Sequence, residues 1–230
     1  MSLFKIPFVL ANLVGTHITC TPPVSPALEH ERKSEPLRLS RAVPYTKCIF
    51  WVLALTEIAA IVASYNAQLP ISQKVLGVML LTQNAGGIKA TPLSTIGALL
   101  SFFGGAVRLS CYRWMGKHFT FDVSIRDHHK LITTGPYGIV RHPGYTGALM
   151  NVLGLVCFHA SPGSLLRESE VLGIGLGRVL VGLMVVVMLV PVPFLRHRMR
   201  MEDMALKQQF GQDWDEWAER VPYWLIPGIY

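Results

Sequence analysis

The chain has 230 residues, of which 51% are hydrophobic and 15% are charged, and its formal net charge is +7. Together with a mean hydropathy of +0.39, this composition is typical of a membrane protein and argues against an ordinary soluble domain. The cations are distributed over the segments between apolar stretches and form no single patch, which argues against a nucleic-acid partner.

Four apolar segments approach the length of about 20 residues that a transmembrane helix needs. We predict spans over residues 48–67, 93–112, 145–160 and 176–195. The N-terminal apolar segment 3–14 is a fifth span, an interfacial helix or a signal peptide, and the lack of a clean small-x-small cleavage pattern argues against the last. Segment 75–81 is too short to span and is expected to lie in the interface or to re-enter. The predicted fold is an all-α, polytopic membrane protein with a helical C-terminal tail.

Lys and Arg residues alternate between rich and poor loops along the chain, which fits these four spans. By the positive-inside rule, the rich segments 21–47 and 108–141 and the tail after residue 195 face the cytosol. We divide the chain into an apolar segment with a Pro- and Ser-rich cytosolic linker (1–47), two spans (48–114) and a unit of loop, two spans and tail (115–230). The linker, over 21–41, is expected to be flexible.

Two ionisable residues, Glu57 and Arg108, fall inside predicted spans. A charge in lipid is costly unless it is paired, so we hypothesise that they form an ion pair. The alternative for Arg108 is that its long side chain reaches the cytosolic interface.

The most informative stretch runs from Gly135 to Gly147, with the sequence GPYGIVRHPGYTG. It places Arg141, His142 and Tyr145 between rigid Gly and Pro turns beside a membrane span, where polar residues usually serve function. Arg198 and Glu202 are spaced i, i+4 on one helix face just after the last predicted span, on the same side of the membrane. No metal-binding spacing of His, Cys, Asp or Glu is present in the sequence, so no metal is predicted.

These residues form an ordered set: LITTGPY at 131–137, RHPGYTG at 141–147, then Arg198, Glu202, Asp203, Leu206 and Phe210-Gly211, then Arg220-Val221-Pro222 and Ile226-Pro227. The set resembles the protein-S-isoprenylcysteine carboxyl O-methyltransferases of the endoplasmic reticulum, over about 115–230. The resemblance implies a multi-pass enzyme of that membrane whose site faces the cytosol. Such an enzyme uses S-adenosyl-L-methionine to methylate the C-terminal carboxylate of farnesyl- or geranylgeranyl-cysteine on processed proteins.

The resemblance also implies roles for individual residues. Arg198 would hold the substrate carboxylate, and Arg141, Arg198 and Glu202 would be catalytic. The cofactor would contact ten residues: His129, Lys130, Leu131, Ile132, Tyr137, His142, Pro143, Gly144, Tyr145 and Glu202.

Simple chemistry agrees with this interpretation. Methyl transfer from a sulfonium needs aligned reactants more than it needs acids or metals, and a guanidinium such as that of Arg198 binds a carboxylate through matched donors. Three alternatives remain open. Phospholipid N-methyltransferases share the Arg-His-Pro-x-Tyr core, nicotinamide-dependent sterol reductases carry a similar C-terminal pattern, and a membrane scaffold would need no chemistry.

Overall fold

A computed structural model of the chain describes residues 2–26, 28–31, 39–79, 87–126 and 128–229. These residues form helices joined by turns and loops, and no β-strand occurs among them. Their α-helices are α1 (Ile6–Thr19), α2 (Leu39–Tyr65), α3 (Pro70–Val78), α4 (Pro92–Met115), α5 (Pro143–Ala160), α6 (Leu165–Glu168), α7 (Gly175–Leu189), α8 (Pro191–Phe210) and α9 (Gln212–Arg220). The predicted all-α class is confirmed.

Three helical stretches of the described chain are long and apolar enough to cross a membrane: Val43–Tyr65, Pro92–His118 and Pro143–Glu168. They coincide with the first three predicted spans. Helix α7 is apolar but has only 15 residues, because Pro191 has no amide hydrogen to continue the helical pattern and a new helix begins there. The fourth span, over 176–195, stays a prediction.

The N-terminal apolar segment forms α1, which packs in the helical bundle against α4 and α5. Glycines allow the close approach. A Cβ added to Gly15 would lie 2.1 Å from the carbonyl oxygen of Ser101, and one added to Gly105 would lie 2.7 Å from Cα of Gly15. The crossing of α4 and α5 is equally tight, since a Cβ on Gly104 would lie 2.6 Å from the carbonyl oxygen of Gly147. Small residues at crossing points are typical of helix pairs in membranes.

The predicted ion pair between Glu57 and Arg108 is wrong. Nζ of Lys5 lies 2.5 Å from Oε1 of Glu57 and donates a second hydrogen bond, of 2.7 Å, to the carbonyl oxygen of Gly163. Both side chains of this pair are buried, with exposed fractions of 0% and 1%. The hypothesis considered only charges inside predicted spans, whereas the partner of Glu57 comes from the start of α1.

The tail folds back onto the rest of the protein. Helix α8 ends at Phe210, and Gly211 has a φ of +54°, which glycine adopts without strain. Helix α9 follows, and its Trp217 is 2% exposed and donates from Nε1 to the carbonyl oxygen of Tyr137 at 3.0 Å. The tail therefore contacts the motif loop directly, and its position on the cytosolic side stays a prediction.

Two predictions fall partly outside the described residues. The proposed linker 21–41 contains residues 32–38, which lie outside them together with the cations Arg32, Lys33 and Arg38. In the described part of this segment, Glu29–Glu31 forms a single 3-10 turn and α2 already begins at Leu39. The segment 75–81 begins within α3, and its last two residues lie outside the described ranges.

Candidate active site

The two motifs meet at the end of the bundle where α5 begins and α8 departs from it. Tyr145, in the first turn of α5, contacts two charged residues of α8, Arg198 and Glu202. Nε of Arg198 donates to the Tyr145 hydroxyl at 2.8 Å, and this hydroxyl donates to Oε2 of Glu202 at 2.9 Å. The guanidinium of Arg198 also donates to the carbonyl oxygen of Phe121. One tyrosine can join both residues because their i, i+4 spacing puts them on one helix face.

His142 immediately precedes α5 and is 3% exposed. Its ring nitrogens face the two adjacent acids of α8. Nδ1 lies 3.9 Å from Oε2 of Glu202, and Nε2 lies 3.1 Å from Oδ1 of Asp203, although the second contact is not oriented as a hydrogen bond. The guanidinium of Arg141 lies 3.3 Å from the other oxygen of Asp203. Asp203 thus joins α8 to both basic residues of the motif, a role that its place in the sequence pattern did not reveal.

The C-terminal tail fixes the backbone of the same motif. The amide of Arg141 donates to the carbonyl oxygen of Tyr223 at 2.8 Å, and the amide of His142 donates to that of Trp224 at 2.9 Å. The tail therefore supplies acceptors to backbone donors that precede α5, where a helix leaves its first amides unpaired. These bonds hold the motif loop against the start of α5.

A cavity of about 250 Å³ lies beneath this network. Polar and aromatic side chains line the end near the α5 start, namely Arg108, His118, Asp122, His129, Tyr137, Arg141, His142, Tyr145, Arg198 and Glu202. Mainly apolar side chains further along α2, α5, α7 and α8 line a second part, namely Val43, Ala148, Leu149, Val152, Leu155, Met188, Val192 and Leu195, with the polar Asn151 of α5 among them. We call this second part the apolar arm. A cavity with one charged end and one apolar end suits a lipid that carries a charged head.

The structure brings most of the predicted residues to this cavity. The three residues predicted as catalytic line it, as do eight of the ten predicted cofactor contacts. The two exceptions are Lys130, which is exposed to solvent, and Pro143, which is buried as the first residue of α5. Among the described residues, no group of three His, Cys, Asp or Glu side chains is placed to hold a metal ion.

Arg108 is a cavity residue whose position the sequence analysis missed. Its Nε donates to the Tyr112 hydroxyl at 3.1 Å, and a terminal nitrogen donates to the carbonyl oxygen of Gly144 at 3.0 Å. Cζ of Arg108 also lies 5.0 Å from the centroid of the Phe121 ring, within the range of a cation–π contact. The residue is 7% exposed, so its side chain is buried in the protein. An arginine inside an apolar segment was the only signal in the sequence.

His118 is a second residue that the sequence analysis did not single out. Its ring centroid lies 4.7 Å from that of His129, and Nδ1 of each ring is buried with no hydrogen-bond partner in the described structure. Burial lowers the pKa of His129 to about 4, and His118 and Arg126 act in the same direction. His129 is therefore neutral near pH 7, and both rings leave a nitrogen for a ligand to satisfy.

The turn Gly135–Gly138 places Tyr137 at the cavity wall. Glycine is required at its start, because Gly135 has a φ of +61° and a Cβ there would lie 2.2 Å from the ring of Trp114. Burial raises the pKa of Tyr137 well above its usual value, and nearby Cys111 and Glu202 raise it further. Tyr137 is thus a neutral phenol, which donates to Sδ of Met115 at 2.7 Å.

Comparison with known proteins gives one family. Residues 93–213 match the family described as "Phospholipid methyltransferase". The match covers α4, α5, α7, α8 and the loops between them, and it ends just after α9 begins. The residues that line the polar end of the cavity fall inside it.

The individual relatives are named either as isoprenylcysteine methyltransferases or as sterol reductases. Protein-S-isoprenylcysteine O-methyltransferase B of Arabidopsis thaliana is 32% identical over 132 residues, which are 56% of this chain and 57% of that protein. A probable protein-S-isoprenylcysteine O-methyltransferase of Oryza sativa subsp. indica is 30% identical over 131 residues, 56% of this chain and 59% of that protein. A Delta(14)-sterol reductase of Mus musculus is 30% identical over 103 residues, but these are only 20% of its length. No solved structure gives a significant match.

Proposed function

The chain belongs to the phospholipid methyltransferase family, and from this premise we propose that it transfers a methyl group from S-adenosyl-L-methionine to the C-terminal carboxylate of a prenylated cysteine. The product is a methyl ester on a processed protein. The match spans only 57–59% of the length of the two plant relatives. The activity in their names is therefore part of the proposal for this chain.

The observation that carries the proposal is a pair of guanidiniums, those of Arg108 and Arg198, which meet at Phe121 in the charged end of a cavity whose other end is mainly apolar. Arg198 and Arg108 both line the cavity and both contact Phe121, one through its carbonyl oxygen and the other over its ring. A guanidinium binds a carboxylate through paired donors, and the bond is stronger where water is excluded. An acceptor with a carboxylate head and an apolar tail fits both parts of this cavity.

The remaining polar residues suit the methyl donor. Glu202 lines the cavity with one-third of its side chain exposed, and its negative charge is complementary to a positively charged sulfur. We assign the cofactor to His129, Leu131, Ile132, Tyr137, His142, Gly144, Tyr145 and Glu202. The buried and unpartnered Nδ1 atoms of His129 and His118 fit a ligand with many hydrogen-bonding groups. When bound, S-adenosyl-L-methionine supplies a methyl carbon that a carboxylate oxygen can take by direct displacement of the neutral thioether.

The chain's own contribution to such a reaction is alignment. Fixing two reactants in a near-attack geometry can lower the activation free energy by roughly 7–11 kcal/mol. Tyr145 connects Arg198, assigned to the acceptor, with Glu202, assigned to the donor, through hydrogen bonds of 2.8 and 2.9 Å. The acceptor and donor sites are therefore coupled through one side chain, and no acid or base is required because a carboxylate carries no proton to remove.

We further propose that the enzyme lies in the endoplasmic reticulum membrane with four or five spans and with the site on the cytosolic side. The support is the distribution of Lys and Arg in the sequence and the resemblance to enzymes of that membrane. An active site at this boundary would receive a soluble cofactor from the cytosol and a lipid-anchored acceptor from the bilayer.

Methylation of a phospholipid amine is the second candidate, because the family carries the name of that substrate. A lipid phosphate would also pair with Arg108 and Arg198. However, the reacting group would then be an amine, which must give up a proton to a base before or during methyl transfer. The carboxylate acceptor has no proton to lose.

The experiment is an acceptor panel with purified protein and methyl-labelled S-adenosyl-L-methionine. N-acetyl-S-farnesylcysteine should accept the label, whereas its preformed methyl ester and phosphatidylethanolamine should not. Labelling of phosphatidylethanolamine alone would assign the second candidate function. Failure to bind S-adenosyl-L-methionine at all would contradict both.

A further inference from the structure

We infer that Tyr112 is a positioning residue for binding of the acceptor, because its hydroxyl joins the guanidinium of Arg108 to the C-terminal end of α1. Helix α1 lies outside residues 93–213, which match the family, yet this bond makes it part of the acceptor site. The inference rests on the proposed function, since it concerns a guanidinium that we assign to the acceptor carboxylate.

The Tyr112 hydroxyl acts as both donor and acceptor. It donates to the carbonyl oxygen of Ile18 at 3.0 Å, with that of Thr19 at 3.4 Å, and it accepts from Nε of Arg108 at 3.1 Å. A carbonyl oxygen can only accept, so the one hydroxyl proton is directed to α1 and the lone pairs of the oxygen remain for Arg108. Tyr112 is buried, and hydrogen bonds are stronger in such surroundings than in water.

The end of α1 suits a cation. The last four carbonyl groups of a helix have no partner within the helix, and together they give its C-terminus a partial negative charge. Ile18 and Thr19 carry two of these groups in α1, and Thr19 and Cys20 line the same cavity as Arg108. The bond through Tyr112 therefore connects a positive side chain to the negative end of a helix.

The position of α1 beside Tyr112 is itself fixed by close packing. A Cβ added to Gly105, seven residues before Tyr112, would lie 2.7 Å from Cα of Gly15. One turn further from the site, Oγ of Ser101 donates to the carbonyl oxygen of Asn12 at 3.1 Å. The carbonyl groups at the end of α1 are therefore held in place as acceptors for the Tyr112 hydroxyl.

Arg108 retains donors for a ligand in this arrangement. A guanidinium has five N–H groups. Tyr112 accepts from one of them and the carbonyl oxygen of Gly144 accepts from another, at 3.0 Å. The other three, on the two terminal nitrogens, make no hydrogen bond to a described residue. Cζ lies 5.5 Å from the ring centroids of Tyr112 and Phe119 and 5.0 Å from that of Phe121, so the guanidinium is held among three aromatic rings, and its remaining donors suit a carboxylate.

Loss of the hydroxyl should therefore weaken recognition of the acceptor's charge. Without it, Nε of Arg108 loses its acceptor, and the guanidinium must be ordered when the carboxylate binds. That cost applies only to a ligand that binds through Arg108. A neutral ligand of the same shape should be nearly unaffected, and this difference separates a positioning role from a general loss of structure.

The test compares the Kd of N-acetyl-S-farnesylcysteine with that of its neutral carboxamide. Both are measured with S-adenosyl-L-homocysteine present, which has no methyl group to transfer. The unchanged protein should bind the acid more tightly than the amide. Tyr112→Phe should lower this preference by about tenfold, because a hydrogen bond to a charged group has about that effect on binding, and should leave the Kd of the amide within about twofold.

A double-mutant cycle shows whether Tyr112 acts through Arg108. Arg108→Met should remove most of the preference for the acid, and Tyr112→Phe added to it should have no further effect, since two groups that act as a unit are not additive. Melting temperatures and the Kd for S-adenosyl-L-methionine verify that each variant is folded. Tyr112→Leu and Arg108→Gln replace the first choices if these do not fold.

Two matched controls should leave the preference unchanged. Arg113→Met removes a cation from the residue that follows Tyr112 on α4, which is exposed and does not line the cavity. Tyr65→Phe removes a hydroxyl from a residue that is 68% exposed.

Three results would overturn this inference: no preference for the acid in the unchanged protein, an equal loss of acid and amide binding in Tyr112→Phe, or additive effects in the cycle. Methylation of N-acetyl-S-farnesylcysteine by the unchanged protein would leave the proposed function intact in each case. Failure of that methylation would overturn the proposed function and this inference together.

Discussion

The hydroxyl of Tyr145 donates a 2.9 Å hydrogen bond to the carboxylate of Glu202, 57 residues further along the chain. The same hydroxyl accepts a 2.8 Å bond from Arg198. Tyr145 therefore holds a cation and an anion of α8 in one arrangement at the mouth of the cavity. If these two charges bind the acceptor and the donor, the tyrosine determines how the two substrates are placed relative to each other.

Replacing Tyr145 with Phe should lower kcat by about 100-fold, because a displacement of the order of 1 Å in a reacting pair costs that much. The ring remains, so the fold should be retained. Steady-state methylation of N-acetyl-S-farnesylcysteine measures the effect. Tyr65→Phe is the control, since Tyr65 is 68% exposed at the far end of α2. Turnover equal to that of the unchanged protein would remove the Tyr145 hydroxyl from the mechanism.

Substitutions of Arg198 and His142 should have different effects, the first on use of the acceptor and the second on binding of the cofactor. Arg198→Ala should abolish methyl transfer but leave the Kd for S-adenosyl-L-methionine nearly unchanged, because we assign this cation to the acceptor carboxylate. His142→Ala should instead weaken cofactor binding. Titration calorimetry and the transfer assay measure the two quantities. Arg200→Ala, on the exposed side of the same helix, should change neither. A loss of cofactor affinity in Arg198→Ala with none in His142→Ala would exchange the assigned roles.

Much of this site followed from the sequence, and the rest did not for identifiable reasons. The spacing of Arg198 and Glu202 and the turn residues around His142 are local features, so the meeting of these residues at one end of the bundle could be predicted. Arg108 and His118 reach the cavity only through the packing of α4 against its neighbours, which no local pattern reveals. Similarly, the partner of Glu57 was missed because Lys5 is 52 residues away in sequence and belongs to a helix whose role was left open.

Removing either charge of the Lys5–Glu57 ion pair alone should destabilise the protein. Replacing both charges with apolar residues should cost little stability. Removing one partner of a buried pair leaves an uncompensated charge, which costs about 3–5 kcal/mol, whereas replacing both with apolar residues is often neutral. Lys5→Met and Glu57→Leu should each lower the melting temperature in detergent, and the double variant should recover most of the loss.

The exposed pair of Lys207 and Asp215 provides the comparison. Its nitrogen–oxygen distance is 2.7 Å, but its side chains are 55% and 46% exposed, so Lys207→Ala should cost no more than about 1 kcal/mol. Additive losses in the Lys5–Glu57 double variant would show that the two groups do not stabilise each other.

His129 should make stability depend on pH below neutrality. Burial lowers its pKa to about 4 in the folded protein, whereas an unfolded histidine titrates near 6.5. Between these values the unfolded chain binds a proton that the folded chain does not, so this contribution to stability is complete above pH 6.5 and declines as the pH falls towards 4. Melting temperatures recorded over this range should show a smaller decline for His129→Phe. His128→Asn, at an exposed position with a φ of +54°, is the control, and an unchanged pH profile in His129→Phe would contradict the assignment.

The identity of the methylated group tests the central claim most directly. Purified protein is incubated with methyl-labelled S-adenosyl-L-methionine and an equimolar mixture of N-acetyl-S-farnesylcysteine and phosphatidylethanolamine, and the lipid products are treated with alkali. A methyl ester releases its label as volatile methanol, whereas an N-methyl group is retained. We predict label on farnesylcysteine that alkali releases; alkali-stable label on the phospholipid, with none on farnesylcysteine, would contradict the account.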